Sequence, residues 1–316
     1  MATTGLATRR RRLSKIERKE ALAAYLCLSP WAIGFIVFLV VPIGMAAYAA
    51  FTHWTIINPP PRWIGIQNFV EMFTKDRYFL WSLGITLKYM AMTLIPGLVI
   101  SLILALFLNA KLKGMNFFRT VFYVPAVVSG VAVTILWISL LDPQAGAVNT
   151  MLRQLGVQNP PNWVGSSKWA LPSVAIMSLW GVGGGAIIYL SGLQNIPPHL
   201  YEAAWIDGAS RWQQLWRITL PLLSHTIFFN LITGLIGAFQ VFTPAYIMGG
   251  ASRWGTSRYL RFYLLHVYLK AFQEGRLGYA AALAWVLTIL SALVVLIVYR
   301  STEQLVYYEE TGERGG

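Results

Sequence analysis

Long apolar intervals alternate along the chain with short polar segments. The intervals are Ala21–Thr52, Leu80–Asn109, Thr120–Leu141, Trp169–Gln194, Leu222–Met248 and Leu277–Tyr299, and Lys88 is the one Asp, Glu, Lys or Arg inside them. A helix needs about 20 mainly apolar residues, at ~1.5 Å of rise each, to cross a bilayer. Strands of a membrane barrel would alternate in polarity at every second residue, and these intervals do not. The pattern predicts an all-α integral membrane fold with about six transmembrane helices.

Composition supports a membrane protein. Of the 316 residues, 56% are hydrophobic and only 12% are charged, against roughly 25% charged in a soluble domain. The net charge of +13 would suggest nucleic-acid binding in a soluble protein, but here the basic residues serve first to orient the membrane helices. The single cysteine, Cys27, excludes an intrachain disulfide framework and a cysteine-rich metal site.

The basic residues predict the orientation. Residues 1–20 hold seven Lys and Arg, whereas residues 51–79 hold three. The positive-inside rule then places the N-terminal tail in the cytoplasm, and six crossings return residues 300–316 to the same side. An Arg run can also begin an export signal, but the apolar stretch at 21–52 is about twice as long as a signal-peptide core. We therefore expect an uncleaved first helix over 21–52, an outer segment over 53–79, and a core of five further helices over 80–299.

Acidic side chains lie outside the predicted spans. All twelve Asp and Glu residues do so, whereas ion-coupled transporters usually carry such groups within the membrane. The chain has no G-x-x-x-x-G-K-[ST] phosphate loop and no nucleophile elbow or paired carboxylates, and its four histidines have no metal-ligand spacing. We therefore expect a protein that is not an enzyme, binds no cofactor or metal, and depends on a partner for energy if it transports a solute.

Residues 195–221 form the most informative polar segment. Pro198 is suited to the first turn of a helix, and Gly208 is suited to end it. Ser210 and Gln213 have the spacing of a capping box that opens a second helix. The segment predicts a helical hairpin between the fourth and fifth spans, on the same side of the membrane as the N-terminus.

One face of the first hairpin helix combines small residues with a carboxylate. Leu200, Ala203, Ala204 and Asp207 recur at i, i+3, i+4 and i+7. Two alanines on one face allow another backbone to approach closely, and Glu202 supplies a charge beside them. The hairpin is therefore a candidate docking element, although a solvated hairpin without a partner has the same pattern.

This segment resembles the E-A-A loop of bacterial ABC-importer membrane subunits. The matching residues, which the resemblance identifies as ATPase-coupling residues, are Glu202, Ala203, Ala204, Asp207, Gly208, Ala209, Leu220 and Pro221. Residues 117–125, 239–250 and 278–285 are similar to span signatures of the carbohydrate branch, and most similar to the first permease of maltose-type and glycerol-phosphate-type importers. That branch commonly has Gly-Gly-Pro after the fifth span, whereas here Ala251 follows Gly249-Gly250.

The resemblance implies a type I ABC importer permease of the bacterial cytoplasmic membrane. It implies a second homologous permease, two ATPase subunits that hold ATP and Mg, an external solute-binding protein, and a carbohydrate such as an oligosaccharide or a glycerol-phosphate-like solute. It further implies that Glu202 pairs with a basic residue of an ATPase and that Gly208 permits a bend. Import of a non-sugar solute is the first alternative, and ion-coupled secondary transport is the second.

Sugars bind through aromatic faces and through amide or hydroxyl groups, and the resemblance points to the fourth and fifth spans as the pore lining. Glycines in spans often serve helix packing instead, and an amide can simply bond between helices. The candidate lining residues are Trp180, Gly184, Gly185, Asn230, Phe239, Gln240, Thr243 and Tyr246.

Overall fold

The computed structural model describes residues 15–57, 60–110, 112–249 and 258–302. Its α-helices are α1 Lys15–Phe35, α2 Val41–Ala50, α3 Gln67–Thr74, α4 Arg77–Leu108, α5 Met115–Val127, α6 Gly130–Leu140, α7 Ala147–Gln154, α8 Ala170–Trp180, α9 Gly183–Gln194, α10 Pro198–Ile206, α11 Arg211–Gln214, α12 Leu220–Leu222, α13 Ser224–Phe239, α14 Thr243–Met248, α15 Tyr263–Tyr268 and α16 Leu277–Thr302. Two short strands, β1 Thr52–His53 and β2 Arg62–Trp63, pair antiparallel. Most of the predicted N- and C-terminal tails, and the Gly250–Ala251 departure, lie outside the described residues.

Among the described residues, five helical stretches are long and apolar enough to cross a membrane. They are Lys19–Ala50, Arg77–Leu108, Ala170–Gln194, Ser224–Met248 and Leu277–Ser301. These agree with five of the six predicted spans. The third predicted span, Thr120–Leu141, is a bent pair instead, because α5 and α6 meet at 95°. The all-helical membrane fold is confirmed, and the third span is corrected from a straight helix to a broken one.

The bend between α5 and α6 has local causes. Pro125 lies inside α5 and lacks the N–H that would continue the helical bonding. Val128 is extended at ψ 141°, and Ser129 follows at ψ 130°. Ser129 and Gly130 form a dipeptide that is typical of turns. Because the interval is apolar on both sides of the bend, its composition did not indicate the break.

Prolines also explain two widened helical turns. The π turn Ile36–Val40 immediately precedes Val41-Pro42, and the π turn Leu215–Thr219 immediately precedes Leu220-Pro221. A proline ring clashes with the carbonyl four residues earlier, and a wider turn relieves that clash. The helices therefore continue past both prolines.

α4 is the central helix of the bundle. It packs against α8, α9 and α13, while α2 packs against α16. The first span contributes little to the core before Ala49, and side chains such as Trp31 are 70% exposed. Its exposed apolar surface suits lipid or another membrane subunit.

The ends of the spans define two faces of the bundle. We call the end that carries residues 195–221 the loop face, and the opposite end, where α14 ends and α16 begins, the far face. Residues 262–272 are largely apolar but too short to span the membrane, which predicts a helix lying in the interface. They are helical as α15 and the π turn Leu269–Gln273. However, Phe262, Tyr263 and Leu265 are fully buried against α4 and α16. It is therefore packed among the span ends and does not lie on their surface.

A buried polar cluster holds the far face together. Asp76 precedes α4, and its Oδ2 lies 2.8 Å from His266 Nε2 and accepts a 2.8 Å hydrogen bond from the Tyr279 hydroxyl. The backbone N–H of Tyr78 donates to Oδ1 at 2.9 Å. Burial opposes the charge on Asp76, but the bonds from His266, Tyr279 and Tyr78 outweigh it and hold the pKa of this carboxyl well below its usual range. We call Asp76, His266 and Tyr279 the far-face cluster.

Candidate functional site

The first loop helix begins and ends as its residues predict. Pro198 occupies the first turn of α10. Gly208 has φ +75°, a conformation that glycine adopts without steric cost. Its N–H donates to the Trp205 carbonyl at 3.1 Å, while the Ala209 N–H donates to the Ala204 carbonyl at 2.9 Å. This pair of bonds is a Schellman cap, which turns the chain sharply after α10.

The second loop helix is opened by the predicted capping box. The backbone N–H of Gln213 donates to Ser210 Oγ at 3.3 Å, and the backbone N–H of Ser210 donates to Gln213 Oε1 at 2.7 Å. The two helices are tied at their base, where the Tyr201 and Thr219 hydroxyls lie 3.0 Å apart. The hairpin is therefore held mainly by bonds between residues close in sequence.

The predicted docking face divides between the bundle and the surface. Leu200 and Ala204 are half-buried, whereas Ala203 and Asp207 are exposed. Glu202 is exposed too, and it makes no ion pair with any described residue. A carboxylate is therefore available to a partner on this helix.

The remaining predicted coupling residues lie between the loop helices or beyond them. A pocket of about 350 Å³ separates α10 from the chain that follows, and Ala204, Asp207, Gly208 and Ala209 line part of it. Leu220 and Pro221 form the short helix α12, which leads into the fifth span.

Large exposed apolar side chains accompany Glu202 on the loop face. Trp205 is 77% exposed and Ile206 is 80% exposed at the end of α10. Trp212 and Trp216 are also exposed, with their rings edge to face at 5.7 Å. These residues were not in the predicted docking set, although tryptophan in a polar hairpin is a signal of an interface. Exposed apolar residues of this size mark a surface for a partner or for lipid.

A cavity of about 380 Å³ opens between α4, α9 and α13. Its polar lining consists of hydroxyl and amide side chains, and no Asp, Glu, Lys, Arg or His is among the described residues that line it. The main polar contributors are Tyr89, Thr93, Ser101, Asn230 and Thr233. A volume of this size falls at the lower end of the range for small-molecule sites.

Gly185 keeps this cavity open. A Cβ at that position would lie 3.0 Å from Ser101 Oγ and 3.5 Å from Asn230 Oδ1. Ser101 Oγ itself donates to the Val182 carbonyl at 3.0 Å, beside the break between α8 and α9. Of the predicted lining residues, Gly185 and Asn230 are therefore brought together.

The second span contributes lining residues that the prediction did not include. Tyr89, Thr93, Gly97 and Ser101 all lie on α4 and line the cavity. They recur at intervals of four, which places them along one side of the helix. Hydroxyl groups and a glycine at this spacing in an otherwise apolar span could have identified these lining residues from the sequence.

Three predicted lining residues of the fourth and fifth spans do not line this cavity. Trp180 lines a separate apolar cleft with α4 and α5 and meets Trp137 edge to face at 6.3 Å. A Cβ on Gly184 would lie 3.4 Å from Ala126 Cβ. Phe239 is 2% exposed in a core cluster, so its ring is corrected from a lining group to a core group.

The other three predictions fall near a break in the fifth span. Gln240 is exposed where α13 ends, Thr243 opens α14, and Tyr246 contacts the rings of Phe242 and Tyr268. They do not line the 380 Å³ cavity, and a substrate role for them stays a prediction. Among the described residues, no group of three or more His, Cys, Asp and Glu side chains is placed to hold a metal ion.

Residues 97–306 match the family of binding-protein-dependent transport system inner membrane components. The chain belongs to this family. The matched segment contains α9, the whole E-A-A loop and the spans that flank it. The loop and the cavity are therefore parts of an inner membrane transport component. This agrees with the predicted location of the chain in the membrane.

Individual relatives match this chain over most of its length. A probable ABC transporter permease protein of Bacillus subtilis, YesP, is 38% identical over 304 residues, which cover 95% of this chain and 96% of the relative. The multiple sugar-binding transport system permease protein MsmF of Streptococcus mutans is 32% identical over 263 residues, covering 83% and 89%.

A solved structure shares the fold of the permease. It is a bacterial alginate ABC transporter in complex with an alginate pentasaccharide-bound periplasmic protein. The similarity covers 93% of this chain and 98% of the other, with a TM-score of 0.81 and 26% sequence identity. The importer-permease fold is therefore confirmed along almost the full chain, a larger part than the family match covers.

Proposed function

We propose that this permease is a membrane subunit of an ATP-driven importer that translocates a carbohydrate, most readily an oligosaccharide, delivered by an external binding protein. Relatives that carry sugars support the substrate class. The hydroxyl and amide lining of the cavity supports it as well, because sugars offer donors and acceptors that such groups match. A second permease would complete the pathway opposite this cavity.

The observation that carries the proposal is the exposed loop helix α10. It presents the unpaired carboxylate of Glu202 beside exposed Trp205 and Ile206. Buried aromatic residues and a charged partner are typical of strong contacts between subunits. In the proposed assembly this loop faces the cytoplasm and docks on an ATPase subunit, which holds ATP and Mg and supplies the energy. The permease itself hydrolyses nothing.

The test is ATP-dependent uptake of an oligosaccharide by the assembled transporter in proteoliposomes. Glu202→Lys should reduce uptake and ATPase activity at least tenfold, because a reversed charge would repel the basic partner. Glu20→Lys is the matched control, since Glu20 is an exposed carboxylate in α1, outside the loop hairpin. It should retain wild-type uptake.

The two variants separate docking from insertion. Membrane levels of the Glu202→Lys protein should equal those of the wild type, and its co-purification with the ATPase should weaken. Full uptake and full ATPase stimulation in the Glu202→Lys transporter would contradict the docking role. Uptake of no oligosaccharide by the wild-type assembly would contradict the substrate class.

A further inference from the structure

Lys88 is the one charged side chain inside the predicted spans, and neither the loop nor the cavity accounts for it. It is exposed on α4, whereas its neighbour Tyr89 lines the cavity. Lys88 forms no ion pair with any residue that the structure describes. A charge inside the membrane is costly, and such residues usually have a partner. The partner of Lys88 is therefore to be sought among the molecules around this helix.

Lys88 shares one side of α4 with an arginine and a tryptophan. The residues at i, i+4, i+7 and i+11 on this side are Arg77, Trp81, Gly84 and Lys88. Gly84 leaves a gap between its neighbours on this side, since a Cβ there would meet no atom within 4 Å. Because α4 begins at Arg77, this side runs from the far face toward the interior of the membrane.

A distant segment of the chain brings a second arginine to the same place. Trp81 Nε1 donates to the Arg258 carbonyl at 2.7 Å. A pocket of about 230 Å³ is lined by Arg77, Tyr78, Trp81 and Arg258. Arg77 Nη2 donates to the Tyr78 hydroxyl at 2.7 Å, and a guanidinium has further N–H donors to offer. We call the following residues the basic groove: Arg77, Trp81, Gly84, Lys88 and Arg258.

No acidic side chain among the described residues neutralises the basic groove. Neither Arg77 nor Arg258 forms an ion pair there. Asp76 and Glu71, the carboxylates close to Arg77 in sequence, are already bonded within the far face. Arg261 adds a further positive charge, because its guanidinium packs on the tyrosine that Arg77 contacts. This excess of positive charge favours an anionic ligand.

The surroundings of the basic groove indicate that the ligand is a lipid. Leu80, Leu87 and Met92 are exposed along the same part of α4, which suits contact with acyl chains. Tryptophan near the end of a span is typical of the headgroup level of a bilayer. Lys88 lies seven residues beyond Trp81, about 10 Å deeper. Helical side chains lean toward the helix N-terminus, so the amine of Lys88 extends toward the headgroups.

We propose that the basic groove binds the phosphate group of an anionic phospholipid in the leaflet at the far face. The guanidinium groups of Arg77 and Arg258 donate to the phosphate oxygens, a pairing that their planar geometry favours. Lys88 approaches the same headgroup from the membrane interior, and the gap at Gly84 accommodates the glycerol part of the lipid. A free phosphate ion has the same headgroup chemistry, but it does not enter the apolar layer in which Lys88 lies. The proposal is independent of the solute that is imported.

The test is phospholipid binding by the full-length permease in detergent, measured by native mass spectrometry. Phosphatidylglycerol should bind to the wild type, and Arg77→Gln and Lys88→Gln should each weaken binding about tenfold, because a hydrogen bond to a charged group is lost. Arg258→Lys keeps the charge and should weaken binding less than Arg258→Gln. Arg62→Gln is the matched control, since Arg62 is an exposed basic residue of β2 outside the groove. It should bind the lipid as the wild type does.

Gly84→Leu distinguishes binding in the groove from a general attraction between charges. It keeps every charge, and its Cβ would meet no atom within 4 Å, so the fold should be retained. Its side chain fills the gap, and we expect it to weaken phosphatidylglycerol binding about as much as Lys88→Gln. Thermal unfolding without added lipid should be the same in this variant and the wild type, so that weaker binding reports on the groove.

Three results would overturn the proposal. The first is equal phosphatidylglycerol binding by the wild type, Lys88→Gln and Gly84→Leu. The second is tighter binding of inorganic phosphate than of phosphatidylglycerol, lost in the same variants, which would assign the groove to a free anion. The third is loss of the second permease from the purified assembled transporter in Lys88→Gln with lipid binding intact. That result would assign this side of α4 to a contact between permeases.

Discussion

The loop face and the far face are built on opposite principles. Every bond that shapes the loop hairpin joins residues at most 18 positions apart, as in the contact between Tyr201 and Thr219. The bonds of the far face join Asp76 to His266 across 190 positions and to Tyr279 across 203. The hydrogen bonds of the loop are therefore local, although Leu200, Tyr201 and Ile218 also pack against the bundle, whereas the far face is bonded between distant parts of the chain. A locally held element suits a part that must move as a unit against a partner.

The largest difference between the two faces is expected when the carboxylate of the far-face cluster is removed. Asp76→Ala leaves fully buried His266 without its charged partner and removes the acceptor of the Tyr279 hydroxyl. Each buried donor that is left without its acceptor costs about 1–3 kcal/mol. We expect a matching fall in the free energy of unfolding, measured by denaturation in detergent. Asp207→Ala, an exposed carboxylate of the loop face, should change that free energy by less than about 0.5 kcal/mol.

Equal backbone strain at the two faces should have unequal consequences. Gly208 in the loop and Gly275 on the far face have φ values of +75° and +68°. Forcing alanine into this conformation costs roughly 1–2 kcal/mol at either site. We expect Gly208→Ala to lower ATP-coupled uptake severalfold with little change in global unfolding, because the strain is confined to the hairpin. Gly275→Ala should lower the free energy of unfolding and leave coupling intact.

Paired measurements of uptake and unfolding on both glycine variants check this expectation. Loss of global stability in Gly208→Ala equal to that in Gly275→Ala would mean that the loop is not an independent unit. The comparison between the faces would then fail, even though both variants were impaired.

The same contrast explains what the sequence could predict. Pro198, Gly208, Ser210 and Gln213 act on their immediate neighbours, so their spacing was sufficient to predict the hairpin. Five spans followed equally from local apolar composition. The partners of Asp76 could not be predicted, because nothing near Asp76 in sequence indicates that a histidine far along the chain will meet it.

The cavity could be predicted from the sequence only in part. Asn230 and Gly185 were predicted as lining residues from their polarity and their place in the spans, and they do meet. Phe239 was misassigned because an aromatic residue in a span has the same local pattern whether it faces a core or a pathway. The stripe on α4 was readable from its spacing of four, but only its packing against α9 and α13 makes it part of a cavity.

The smallest expected effect concerns the rim of the far face, where Arg276 binds Glu71. The Arg276 Nη1 and Nη2 atoms donate to the two Glu71 carboxylate oxygens at 2.8 and 2.7 Å. Both side chains are about one-third exposed, so water screens the pair, and an exposed ion pair contributes ~0.2–1 kcal/mol. Glu71→Gln should therefore lower the free energy of unfolding by no more than about 1 kcal/mol, far less than Asp76→Ala.

The pH dependence separates this pair from a neutral contact. The hydrogen bond from Arg276 lowers the pKa of the Glu71 carboxyl. A carboxyl with a lowered pKa in the folded state stabilises the fold above its unfolded pKa of about 4.3, and this contribution is lost as the pH falls below that value. Unfolding measured between pH 7 and pH 3 should show a smaller acid loss in Glu71→Gln than in the wild type. An equal loss in both proteins would mean that this ion pair contributes nothing, and that the long-range bonding of the far face resides in its buried cluster alone.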